Sequence, residues 1–130
     1  MKVAISSFSI ARLRKFPLLV HATSPRYYEA ESGSKKPLFS YGSSNEILFE
    51  THQRWFLNSL GIRNEFVYRV RQVHGNRVYV LNDPTVSVAR VEKEEADAIV
   101  THLSDRSLAV LTADCVPIII YDPVRHVVGV

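Results

Sequence analysis

Two side chains of this sequence could share a metal ion: His74, in Gln72-Val73-His74-Gly75, and Cys115, in Thr112-Ala113-Asp114-Cys115, the only cysteine of the 130 residues. An imidazole and a thiolate suit zinc, which in catalytic sites takes three protein donors and keeps a fourth position for water or substrate. Two donors leave such a site incomplete. The same pair could instead form a thiolate–imidazolium couple for covalent hydrolysis, the histidine lowering the thiol pKa. Asp97 or Asp114 could then orient the ring. Each residue alone is also compatible with a plainer role, an inert buried thiol or a hydrogen-bonded core histidine. Their separation, 41 residues from 74 to 115, matches no compact zinc-finger spacing. Residue type and spacing leave these readings open.

The elements that must position the pair read as strands. Phe66, Tyr68, Val70, Gln72 and His74 alternate with Val67, Arg69, Arg71 and Val73, so His74 ends a largely apolar strand face, with Gln72 on the same face two residues away. Gly75-Asn76 predicts a hairpin turn into Val78-Tyr79-Val80-Leu81, which Asn82-Asp83-Pro84 stops. Further strands are expected over 98–101, 107–112, 116–121 and 126–130. Ile118-Ile119-Ile120 lacks polar alternation and is expected to be buried on both faces. Residues 90–95 read as a solvated charged run.

Ahead of these strands, residues 24–44 are loop-like around Ser32-Gly33-Ser34-Lys35-Lys36-Pro37. Ser43 and Glu46 have capping-box spacing and open a helix. Its apolar face carries Leu48, His52, Phe56 and Leu60 with Trp55 beside them, and Gly61 supplies a left-handed terminus. His52 and Trp55 are expected to pack in the core. Residues 16–22 read as an early strand.

Composition narrows the classes. A length of 130 residues fits one domain, and 46% hydrophobic with 22% charged residues excludes disorder. The charge of +3 and pI near 9.2 favour anionic small molecules modestly. Arg12, Arg14, Lys15, Arg69, Arg71 and Arg77 are scattered among apolar residues and make no nucleic-acid footprint. One cysteine forms no internal disulfide, and no apolar run approaches the roughly 18 residues of a membrane span. Residues 1–28 are basic and free of acid, as in an organelle transit segment, but they also fit within one domain, and a cytoplasmic location is expected. The five glycines form no phosphate-cradling loop. There is no His-x-His pair and the only methionine is Met1, which argues against multicopper electron-transfer chemistry. Asp105, Asp114 and Asp122 are too dispersed for an acid–base couple and read as turn residues.

The ordered motifs Gln72-Val73-His74-Gly75, Ala96-Asp97-Ala98-Ile99-Val100-Thr101, Leu111-Thr112-Ala113-Asp114-Cys115-Val116-Pro117 and Tyr121-Asp122-Pro123 resemble the laccase-domain family. Its members were first called polyphenol oxidases and are now described as zinc-dependent purine nucleoside phosphorylases. The resemblance extends over residues 18–130, beginning with His21-Ala22-Thr23-Ser24-Pro25-Arg26. It implies an α/β (α+β) fold, a mixed layered β-sandwich flanked by helices, here C-terminally truncated, with residues 1–130 as a partial domain. It implies that His74 and Cys115 are two of three zinc ligands, copper being the less favoured metal. The third ligand is expected in a His-Ala-Gly-Trp-Arg-Gly motif following the strand at 127–130. His102 and His126 are expected to be surface or core residues and not substitutes for it.

Arg26 and Gln72 are the candidates for substrate contact. Two departures from the family pattern are Gln53-Arg54, where an Asn-Arg pair is usual, and Tyr27-Tyr28-Glu29-Ala30, which replaces a glycine-rich loop. The implied reaction is phosphorolysis of adenosine, inosine or methylthioadenosine to free base and ribose 1-phosphate, with adenosine deamination as a companion activity. The implied partners are a purine nucleoside and phosphate, with a second polypeptide or a dimer completing the site, and neither nucleic acid nor membrane. The competing expectations are a Cys–His hydrolase, a laccase-like polyphenol oxidase, and an inactive remnant that pairs through its 127–130 edge.

Overall fold

The computed structural model describes residues 7–38 and 46–130, which fall into two units, Met1–Asn64 and Glu65–Val130. In the first unit, Gly33 adopts φ +76° and reverses the chain between β1 (Tyr27–Glu29) and β2 (Lys35–Pro37). They pair antiparallel, Tyr28 opposite Lys36, where the sequence reads as loop. Pro37 is tolerated because an edge position asks for no ladder N–H. The early strand expected over 16–22 does not form; only an isolated bridge, Phe8 to Thr23, is present nearby.

The expected helix is α1 (Glu46–Ser59); Ser43, the first member of the expected capping box, lies outside the described residues. Its C-terminus closes as predicted. Gly61 turns left-handed at φ +70°, the Ile62 amide donates to the Leu57 carbonyl, and that of Gly61 to Asn58. This pairing satisfies carbonyls that the last turn would leave open. His52 and Leu57 are buried. The His52 ring lies 5.3 Å from Tyr28 and 5.4 Å from Trp55, a packing role in agreement with the sequence. Burial holds the His52 pKa below its usual value by penalising the charged ring.

In the second unit the elements are β3 (Val67–Tyr68), β4 (Val78–Leu81), α2 (Val88–Val91), β5 (Ala98–Thr101), β6 (Ser107–Leu108), β7 (Ile120–Asp122) and β8 (Val127–Gly129). Together the two units give an α+β architecture of small sheets. β4 and β5 run parallel, β8 is antiparallel to β5, and β7 is antiparallel to β8, in the order β4-β5-β8-β7. β3 pairs in parallel with β6 in a separate two-stranded sheet. The hairpin expected at Gly75-Asn76 is therefore absent. β3 and β4 follow one another in sequence but each takes a parallel partner from later in the chain.

The core of this unit is Tyr68, Val70, Leu81, Val91, Ala96 and Ile99. Thr101, also buried, is satisfied by donating its hydroxyl to the Leu81 carbonyl at 2.7 Å and accepting from the Leu103 amide at 3.0 Å. The register places Val80, Val100, Gly129 and Ile120 in one row across the sheet. This row lies on the face opposite the core, and Val78, Val80 and Ile120 are exposed there. The expectation that 118–120 is buried on both faces fails for Ile118 and Ile120, 67% and 69% exposed: Ile118 precedes β7, and Ile120 lies on the exposed face of the sheet. No helix among the described residues is long and apolar enough to cross a membrane.

Candidate functional site

His74 sits at φ +59°, a left-handed conformation that costs a residue with a Cβ about 1–2 kcal/mol. The hydrogen bonds around it account for its persistence. Three successive amides converge on the Asp97 carboxylate: Val73 donates to Oδ1 at 3.1 Å, His74 to Oδ1 at 2.8 Å and Gly75 to Oδ2 at 2.7 Å. Successive N–H groups aimed at one anion form a backbone nest, here filled by the protein's own carboxylate. The Gly75 amide first, then those of His74 and Val73, hold the Asp97 carboxyl below the usual carboxylate range. The His74 side chain is left exposed beyond this loop.

The charged run also helps to position His74. Arg71 donates its amide to the Glu94 carbonyl and accepts from the Ala96 amide, while the Asp97 amide donates to the Arg77 carbonyl. Both feet of the loop are thereby fixed to 94–97. Side-chain pairs join the same stretches: Arg69 with Glu92, Arg71 with Glu95, and Arg77 with Glu94, which also takes Arg90. Expected to be merely solvated, residues 90–95 instead embrace the His74 loop. Each exposed pair contributes at most about 1 kcal/mol, so the backbone bonds carry most of the attachment.

The segments that precede His74 and Cys115 run side by side. Parallel pairing sets Val67 beside Ser107 and Tyr68 beside Leu108, an offset of 40 residues (107 − 67). The Ala109 amide continues the ladder to the Tyr68 carbonyl. Gln72 then takes over: its Nε2 donates to the Leu111 carbonyl at 3.0 Å and its Oε1 accepts the Leu111 amide at 2.8 Å. One side-chain amide thus mimics a strand neighbour and keeps two segments side by side. His74 leaves one of them two residues later, and Cys115 leaves the other four residues later.

Cys115 is free and exposed, within a bend at 113–115. No hydrogen bond links it to His74 among the described residues, so the structure lends no support to a preformed thiolate–imidazolium couple. Among the described residues no group of three or more His, Cys, Asp or Glu is arranged to hold a metal. His126 is exposed, its Nδ1 3.2 Å from the Tyr121 hydroxyl; His102 is exposed as well. Asp122 is a turn residue, as expected, accepting the Val124 and Arg125 amides. Arg26 belongs to the other unit, where its guanidinium lies over the Tyr27 ring at 5.5 Å.

Asp97, one of two acids that could orient the His74 ring in a Cys–His couple, bonds the backbone of 73–75, and the Gln72 amide, a candidate for substrate contact, is engaged on Leu111. The available signal was the apolar Ala96 and Ala98 flanking a lone acid at the start of a strand, a place where a carboxylate needs donors.

Residues 40–130 match the family described as multi-copper polyphenol oxidoreductase laccase. A purine nucleoside phosphorylase of Streptomyces griseus is 43% identical over 70 residues, 54% of this chain and 28% of that protein. A mouse purine nucleoside phosphorylase is 31% identical over 85 residues, 65% of this chain and 18% of its own length. One from Mycobacterium leprae is 35% identical over 68 residues, 52% of this chain and 26% of that protein. The alignments therefore span under a third of each of these relatives. No solved structure matches the chain significantly.

Proposed function

From the premise that this chain belongs to the multi-copper polyphenol oxidoreductase laccase family, we propose that it contributes two zinc ligands, His74 and Cys115, to a purine nucleoside phosphorylase site. The observation that carries this reading is the left-handed His74, held by three amide bonds on Asp97 and exposed at its side chain. Strain maintained at a position where glycine would be relaxed points to a side chain kept for use. An imidazole and a thiolate are a donor set that zinc accepts. Copper is the weaker choice, since the chain has five histidines, none in a His-x-His pair, and no methionine besides Met1.

The substrates proposed are purine nucleosides with phosphate, namely adenosine, inosine or methylthioadenosine, with adenosine deamination as a secondary activity, in the cytoplasm. Three protein donors are usual for catalytic zinc, and two are at hand. The proposal therefore includes a third donor from a further polypeptide segment or a second copy, with residues 1–130 as a partial domain. In the layered β-sandwich of that complete site, a second layer would cover the Val78, Val80 and Ile120 face. Zinc, when bound, would supply a Lewis acid able to lower the pKa of a water ligand. The chain's own contribution is to present donors and to meet an anionic substrate. Gln72, through its amide on Leu111, keeps the two ligand segments adjacent.

The test is zinc content per chain for the purified protein and for Cys115→Ala, with phosphate-dependent release of base from adenosine assayed alongside. About one zinc per chain, lost in the variant, is expected whenever the third donor is present. Zinc bound equally by both proteins would remove Cys115 from the site. Base release without phosphate would replace phosphorolysis by hydrolysis.

A further inference from the structure

The loop at 71–77 has no intrinsic reason to hold a histidine left-handed. Gly75, the residue that could adopt such a φ freely, does not use it; the positive angle falls on His74. Nor is the loop a tight hairpin with strand pairing on both sides, since β3 and β4 pair elsewhere. What the loop does have is one carboxylate at its centre and the same stretch of chain at both feet. The Asp97 main chain holds the loop's far foot through its amide on the Arg77 carbonyl, 3.0 Å. The same residue's side chain holds Val73, His74 and Gly75. Asp97 also precedes β5, whose Ile99 is fully buried, so the carboxylate is anchored on a rigid strand.

We infer that Asp97 is a positioning residue for His74, acting through the backbone: its carboxylate occupies the 73–75 amide nest and sets the direction in which the imidazole is presented. This inference rests on the proposed role of His74 as a ligand for its purpose, but on the loop geometry alone for its mechanism. A carboxylate that contacts a ligand's main chain and not its ring is an outer partner of an unusual kind. Removing such outer partners usually weakens metal binding tenfold to a hundredfold.

Two substitutions separate this role from a merely structural one. In Asp97→Asn the side-chain oxygen can still accept two amides, but its NH2 meets a third donor. In Asp97→Gly the nest is emptied and becomes accessible to a small carboxylate from solution. The readout is the His74 backbone, by Cα and Cβ chemical shifts and the HN–Hα coupling in labelled protein, with the β4 and β5 signals as the control for folding. Expected is a His74 that leaves the left-handed region in both variants, with β4 and β5 unchanged, and that returns in Asp97→Gly on addition of formate.

A left-handed His74 retained in Asp97→Asn and in formate-free Asp97→Gly would overturn the inference. So would loss of the β4–β5 signals together with the loop in both variants, which would make Asp97 a general fold residue. The zinc affinity of the two variants, compared with the unsubstituted chain, is expected to fall about tenfold or more. Unaltered affinity with a displaced His74 would also overturn the positioning role. If the unsubstituted chain takes no zinc, the metal reading fails while the shifts and the formate response still decide whether Asp97 sets His74.

Discussion

The loop that carries His74 and the segment that carries Cys115 leave the same pair of aligned strands, yet they are held very differently. Around His74, three amides end on Asp97 and both feet of the loop are bonded to 94–97. Across residues 112–118, past the Gln72 clamp on Leu111, no hydrogen bond is found among the described residues. Cys115 is exposed and Val116 is 85% exposed. His74 is held in place by the chain itself; Cys115 is carried on an exposed segment. The contrast teaches that two segments leaving one pair of aligned strands can differ in order, the first fixed by backbone bonds to a single carboxylate and the second exposed.

The largest effect that separates the two is amide exchange. Protection reports the free energy of local opening, and the amides of Val73, His74 and Gly75 are expected to exchange on the order of a hundredfold more slowly than those across 112–118. Equal rates by hydrogen-exchange mass spectrometry or NMR would erase the contrast. Acid should abolish it selectively. The Asp97 carboxyl is depressed in the folded chain, chiefly by the Gly75 amide. Its contribution to stability is therefore fully present above the ordinary carboxylate pKa of about 4 and is lost as pH falls through the lower folded value. Protection at 73–75 should persist at about pH 5 and weaken progressively as pH falls from about 4 towards the lower folded value, while 112–118 has little to lose.

The same contrast explains what could be read from sequence. β5 is found at 98–101 as expected, because Ala98-Ile99-Val100-Thr101 needs only its own β-branched residues and a buried face to declare itself. The helix end at Gly61 is likewise local. Local turn chemistry predicts a hairpin at Gly75-Asn76. The chain instead pairs β3 with β6 and β4 with β5, partners about 40 and 20 residues away (107 − 67 and 98 − 78). No local pattern encodes that choice. The motif residues His74 and Cys115 stand out by type, but that the segments before them run side by side follows only from the parallel register. Asp97 was visible as an acid, and its three donors were not, since they lie 22 to 24 residues away.

Gln72 is the point where the two regions are joined, and breaking it should have an intermediate effect. Gln72→Ala removes both bonds to Leu111, and the half-buried Leu111 amide and carbonyl lose their partner. A loss of about 1–2 kcal/mol in unfolding free energy is expected. Gln72→Glu should cost at least as much, because the carboxylate has no N–H to offer the Leu111 carbonyl. If both variants unfold at the same denaturant concentration as the parent, the clamp contributes nothing and the alignment of the two segments rests on β3–β6 pairing alone.

The smallest effect carries a sign that decides most about His74. A histidine at φ +59° sits where glycine is at ease, and its exposed ring has little packing to lose. In metal-free protein His74→Gly is therefore expected to raise stability by up to about 1 kcal/mol, the relieved strain exceeding the added backbone entropy of the unfolded chain. In zinc-containing buffer the order should reverse, because only the parent gains from a ligand that binds the folded state. Denaturant unfolding in chelator and in zinc measures both. A histidine that costs stability without metal and returns it with metal is retained for binding. If His74→Gly instead loses stability in chelator, the ring is making contacts that the fold itself requires, and the Asp97 nest would be holding a structural corner in place of a ligand.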